Sequence, residues 1–159
     1  METLFAVLHV VSAVFIVGPM AILPMTAMRA VRAGNAGQVA VLAKSTNLLA
    51  LLSVLVVFFG FGVMGLADKK YDLSIATPWI LWSIVLYVVA LGLTLFLVVP
   101  TMRRAAESLQ RAESLQAAGA AQAGEAATAA PSKYPAIAAG SGVASLLLVA
   151  VVVLMVWKP

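Results

Sequence analysis

One side chain in the apolar stretches of this chain could bind a metal or carry a proton near neutral pH. It is His9, within LHVVSAVFIVGPMAILP. A neutral imidazole suits haem or copper, which makes His9 a candidate cofactor ligand. It is also the only histidine, so one chain cannot build a bis-histidine haem. A His/Met pair would need one of the 7 methionines, and Met64 and Met155 fall on the same side of the spans as His9. The competing reading is a hydrogen bond from the ring to a neighbouring helix or interface. The other polar residues in these stretches are Ser12, Asn47, Ser53, Ser83, Tyr87, Thr94 and Ser145. None of the stretches contains an internal Asp, Glu, Lys or Arg. Proton and ion pathways usually run on such groups, which argues against a pump or ion-coupled carrier. A small-solute permease would have to line its cavity with Ser53, Ser83, Tyr87 and Thr94. There is no Ser/His/Asp set, no cluster of metal ligands and no Gly-rich phosphate loop. The absence of cysteine removes disulfides, thiolate metal sites and covalent haem. The residues therefore point to a non-catalytic protein with no cofactor and no metal, haem or copper on His9 being the alternative.

The elements that hold these residues follow from composition. The 159 residues are 64% hydrophobic and 10% charged, with a mean hydropathy of +1.09. Soluble domains run at about 45–50% apolar and about 25% charged, so this is an integral membrane protein. Four apolar segments, Thr3–Met28, Ser45–Ala67, Pro78–Met102 and Pro135–Trp157, each have the roughly 20 residues needed to cross a bilayer as a helix. Backbone groups in lipid must be satisfied within the segment, which selects helices. The expected fold is all-α: a four-transmembrane-helix bundle in one membrane domain, with the third helix extended into the cytoplasm. The only charge before the first apolar run is Glu2, so that run reads as a retained span and not as a cleaved signal.

Cations set the orientation. The first loop holds Arg29, Arg32 and Lys44, and the third holds Arg103, Arg104, Arg111 and Lys133; the second loop and the tail hold Lys69, Lys70 and Lys158. The bias places loops one and three in the cytoplasm of a plasma membrane, with both termini outside. It also accounts for the net charge of +4 without nucleic acid. Trp79, Trp82 and Trp157 fall at the outer interface, where indoles settle. The third loop opens with RAAESLQRAESLQ, rich in helix formers, and is expected to be helical to about Ala118. Met102, Ala105, Leu109 and Leu115 form a weak apolar stripe on it, either a solvated stub or a docking stripe. The Ala-rich stretch over 119–131 reads as a linker, with Pro131 and Pro135 bracketing the start of the fourth helix.

Small residues mark candidate packing faces. Gly60, Gly62 and Gly65 lie in FFGFGVMG, and Gly140 and Gly142 in AIAAGSGVAS. Such residues let helices approach closely in lipid, within a chain or between chains. Gly18-Pro19 and Pro24 are read as a kink in the first helix. LPMTAMRAVR and VPTMRRAAE each set a proline shortly before Met-Arg, either a parallel repeat of two hairpins or shared helix-end chemistry.

LHVVSAVFIVGP resembles the first helix of the CopD-like group of small bacterial membrane proteins. Leu8-His9 and Gly18 match that group's Leu-His and following Trp-x-Gly-Gly, while Ile16 replaces the Trp and Pro19 the second Gly. The resemblance implies a four-helix protein of an uncharacterised branch and, through His9, copper or haem handling. The Ala/Val-rich composition is similar to that of actinobacterial membrane proteins. Small membrane subunits of such organisms accompany the cytochrome bcc–cytochrome c oxidase supercomplex of the respiratory chain. The expectation is a non-catalytic accessory subunit whose partners are lipids and other membrane protein subunits.

Overall fold

The structure is a computed structural model describing residues 2–66, 77–119 and 134–157. The second loop apart from Thr77, the linker beyond Gly119, and Lys69, Lys70, Pro131, Lys133 and Lys158 lie outside the described residues. All described elements are helical, and four helices are long and apolar enough to cross a membrane. They are α1 (Thr3–Arg32), α2 (Ala36–Leu66), α3 (Pro78–Ala117) and α4 (Pro135–Trp157). The expected third-helix extension is present: α3 runs 40 residues and ends at Ala117. That is roughly 60 Å at 1.5 Å per residue, twice the hydrocarbon thickness.

The first turn is tighter than expected. Helix α2 begins at Ala36, well before Ser45, so Lys44 stands on a helix and not in a loop. The residues Gly34-Asn35 explain this. Gly34 takes φ of 69°, a left-handed value that costs glycine least. Its N–H bonds to the Val31 carbonyl and the Asn35 N–H to the Ala30 carbonyl, closing α1 with a Schellman motif. Asn35 then caps α2, its Oδ1 accepting the Gln38 N–H at 2.9 Å. One helix ends and the next begins with almost no chain between them.

The helices form a ring in the order α1, α2, α3, α4, but their pairing changes along it. At the end bearing Trp79, Trp82 and Trp157, α1 pairs with α2, and α3 pairs with α4. Towards the basic end, α3 moves onto α2 and α1 also meets α4. The basic end holds the denser core: Ala27, Ala30 and Val31 of α1, Val39 and Ala43 of α2, Val98, Met102, Ala105 and Ala106 of α3, and Ile137 of α4. A middle layer takes one residue from each helix: Met20, Ala50, Ala90 and Leu148. No residue of α1 before Met20 is buried.

Just before Gly18-Pro19, where a kink is expected in α1, a π turn spans Ala13–Val17, and a second spans Thr94–Val98 in α3. Each is followed by a proline, Pro19 and Pro100. A helical proline ring clashes with the carbonyl four residues back, here Phe15 and Phe96. A π turn inserts an extra residue and opens that space. In α3 the Val99 N–H reaches past Leu95 to the Thr94 carbonyl. Phe-x-Val-x-Pro thus occurs twice, at 15–19 and 96–100. This is a repeat in a different register from the Pro-to-Met-Arg echo. Val17 and Leu95, one from each π turn, pack against the middle layer.

The Gly34-Asn35 turn predicts two losses, read by chemical denaturation of the purified protein in micelles. Gly34→Val forces a branched side chain into the left-handed region, costing about 1–2 kcal/mol. Asn35→Ala removes the cap and costs about 1 kcal/mol. Wild-type stability in both variants would contradict the turn geometry.

Candidate functional site

His9 makes its own case. Its half-buried ring lies against α2, with Nδ1 2.8 Å from the carbonyl oxygen of Val56. A carbonyl only accepts, so Nδ1 carries a hydrogen, and in the neutral ring this leaves the lone pair on Nε2. Glycine makes the approach possible. A methyl group at Gly60 would come within 3.0 Å of His9 Cε1 and 3.2 Å of Nδ1. Two residues nearer the tryptophan end, a methyl at Gly62 would overlap the Phe5 ring. Phe5 also meets Phe59 edge-on, with centroids 6.4 Å apart. The first two glycines of FFGFGVMG therefore seat α1 on α2, whereas Gly65 has open space around it.

Most of the intramembrane hydroxyls donate to backbone carbonyls. Ser12 donates to the Leu8 carbonyl, Ser83 to that of Trp79 and Thr94 to that of Ala90. Such bonds satisfy a hydroxyl inside its own helix. Two hydroxyls also join helices. Ser53 donates to the Ala50 carbonyl at 2.7 Å, so the Tyr87 hydroxyl, 2.7 Å from Ser53 Oγ, is the donor across α2–α3. Ser145 donates to the Ala21 carbonyl at 3.1 Å across α4–α1. Both cross-links touch the middle layer, and they tie the two hairpins together. Among the described residues, no buried side-chain nitrogen or oxygen lacks a partner. Nor does any group of three or more His, Asp or Glu gather to hold a metal.

The other expected site residues scatter. Gly140 faces α3, where a methyl would come within 2.9 Å of Leu97 Cδ2, while Gly142 faces open space. Leu109 packs on the basic-end core, and Leu115 is exposed. Arg29, Arg32, Arg103 and Arg104 are exposed at the basic end. At the opposite end Trp82 and Trp157 are exposed and Trp79 is half-buried. Among the described residues, these side chains form a set of structural bridges. Sequence reading missed the carbonyl partners, because any residue type supplies that acceptor.

A double-mutant cycle tests the bridges. His9→Ala is expected to lower stability by about 0.6 kcal/mol, the average for a hydrogen bond between membrane helices. Gly60→Val should cost more, and part of its cost should vanish in the His9→Ala background, where no ring remains to displace. For Tyr87→Phe and Ser53→Ala, the double variant should lose less than the two singles added together. Strict additivity in both cycles would show that these contacts are not formed.

No curated protein and no solved structure matches the chain. A family model described as "Predicted integral membrane protein (DUF2269)" matches residues 3–159. The match covers almost the whole chain, all four helices included, and the protein belongs to this family of integral membrane proteins.

Proposed function

We propose that this protein is a non-catalytic subunit that works by packing against other membrane proteins. The observation that carries this reading is the state of α1. Between Thr3 and Pro19 none of its residues is buried, and its main partner over that length is α2. Phe15 is 72% exposed and Val10 59% exposed, on an element that also carries the matched Leu8-His9. The hydroxyls of Ser12, Ser53, Ser83, Tyr87, Thr94 and Ser145 are engaged in structural bonds, which favours packing as the activity. The similarity to actinobacterial membrane proteins favours the cytochrome bcc–cytochrome c oxidase supercomplex as the partner. The cation bias favours a cytoplasmic basic end, with both termini outside a plasma membrane.

A second reading, copper or haem handling, has one observation in its favour. The Nδ1 hydrogen bond orients the His9 ring and leaves Nε2 as donor atom, as a backbone carbonyl does for many metal-bound histidines. One imidazole is not a site, so this reading requires ligands from another chain.

Gentle solubilisation of native membranes and affinity capture of the tagged chain separate the two. The packing reading expects a stoichiometric integral membrane partner whose recovery falls when bulky polar residues replace Val10 and Phe15. A chain that purifies alone contradicts it. A Soret band or stoichiometric copper, lost in His9→Ala, would establish the second reading instead.

A further inference from the structure

The ring of cations at the basic end has a feature that orientation alone does not require. Arg29, Lys44, Arg103 and Arg104 come from three helices that the basic-end core draws together, and all four are exposed. None of their side chains forms a hydrogen bond or ion pair with another described residue. Glu107, the first acidic residue along α3, stands one turn beyond Arg103 and does not pair with it.

Arg29 and Lys44 each stand at the foot of an apolar strip, and exposed apolar side chains also lie on the membrane side of Arg103 and Arg104. Residues four and seven apart share a helix face. On α1, Ile22 and Met25 share a face with Arg29 and are 62% and 47% exposed. On α2, Leu48 and Leu51 rise from Lys44 at 58% and 55% exposed. On α3, Phe96 and Leu97 lie on the membrane side of Arg103 and Arg104 and are 84% and 41% exposed, although the π turn at Thr94–Val98 interrupts the helical register between them and the arginines. Asn47, one turn from Lys44, adds a half-buried amide that no hydrogen bond in the described chain occupies. A cation at the interface, with an uncovered apolar strip running from it into the membrane, complements a molecule with an anionic head and hydrocarbon tails. Soluble anions would need the cations but not the strips.

We propose that the basic end binds anionic phospholipids, with Arg29, Lys44, Arg103 and Arg104 holding the phosphate and the strips above them receiving the acyl chains. Guanidinium groups suit this role, because their paired N–H donors match two phosphate oxygens. Clusters of basic residues on the cytoplasmic side of membrane helices are recognised places for such headgroups. The site leaves the face of α1 near the tryptophan end free, so it is independent of the packing role.

The test is native mass spectrometry of the full chain, released from micelles containing equal amounts of phosphatidylglycerol and phosphatidylcholine. Wild type should retain phosphatidylglycerol several-fold over phosphatidylcholine. Arg29→Gln/Arg103→Gln/Arg104→Gln should bring the ratio close to one, and the same three positions changed to Lys should keep most of the preference. Arg111→Gln removes a cation two turns beyond the interface with no strip beside it, and should change nothing. Millimolar inorganic phosphate should leave the lipid adducts in place. Equal retention of the two lipids by wild type would overturn the proposal. So would a preference that survives the triple Gln variant, or an Arg111→Gln variant that loses as much. Displacement by inorganic phosphate would replace the lipid with a free anion.

Discussion

Lipid gives two apolar helices no reason to associate, because hydrocarbon already satisfies their surfaces. What holds this bundle is close approach, and at the basic end alanine permits it. Ala27, Ala30, Ala43, Ala105 and Ala106 all lie in the core there, drawn from three different helices. Large side chains at those positions would hold the backbones apart and forfeit dispersion contacts. Towards the tryptophan end this alanine core gives out and the bundle resolves into two hairpins.

The two ends are thus built differently, and the difference leads to function. One end is a packed four-helix foot rimmed with cations. The other is a pair of hairpins, joined across the middle by the Tyr87–Ser53 and Ser145–Ala21 bonds and covered elsewhere only on their inner sides. The π turns fall where this pairing changes. In α3 the turn over Thr94–Val98 lies between the stretch that follows α4 and the stretch that follows α2. A helix that changes neighbours must change direction, and a widened turn ahead of a proline lets it do so without leaving the proline clash in place.

Much of this was legible in the sequence, and the reason is the solvent. A bilayer makes hydropathy and length decisive, so four helices and the run of α3 past Arg104 could be read directly. The start of α2 was misplaced because a hydropathy reading ends at Lys44, whereas the helix ends where Gly34 and Asn35 cap it. Those two residues held the signal. Gly60, Gly62 and Gly140 could be recognised as packing positions, but not which ring or side chain would fill them. The His9 bond was anticipated in kind, as a hydrogen bond to a neighbouring helix, but its acceptor is a backbone carbonyl that no residue type announces. The Phe-x-Val-x-Pro pair stood in plain sight. It was masked by the more conspicuous Pro-to-Met-Arg echo at the cationic edge.

The central claim is that the alanine-packed basic end is the fixed part of the molecule and that order declines from it towards the tryptophan end. Hydrogen–deuterium exchange of the backbone amides in micelles measures this directly. The account predicts the slowest exchange, at one shared opening free energy, in 27–31, 39–43 and 98–106, with α1 before Met20 exchanging well before them. Uniform protection along all four helices, or exchange that begins at the basic end, would contradict it.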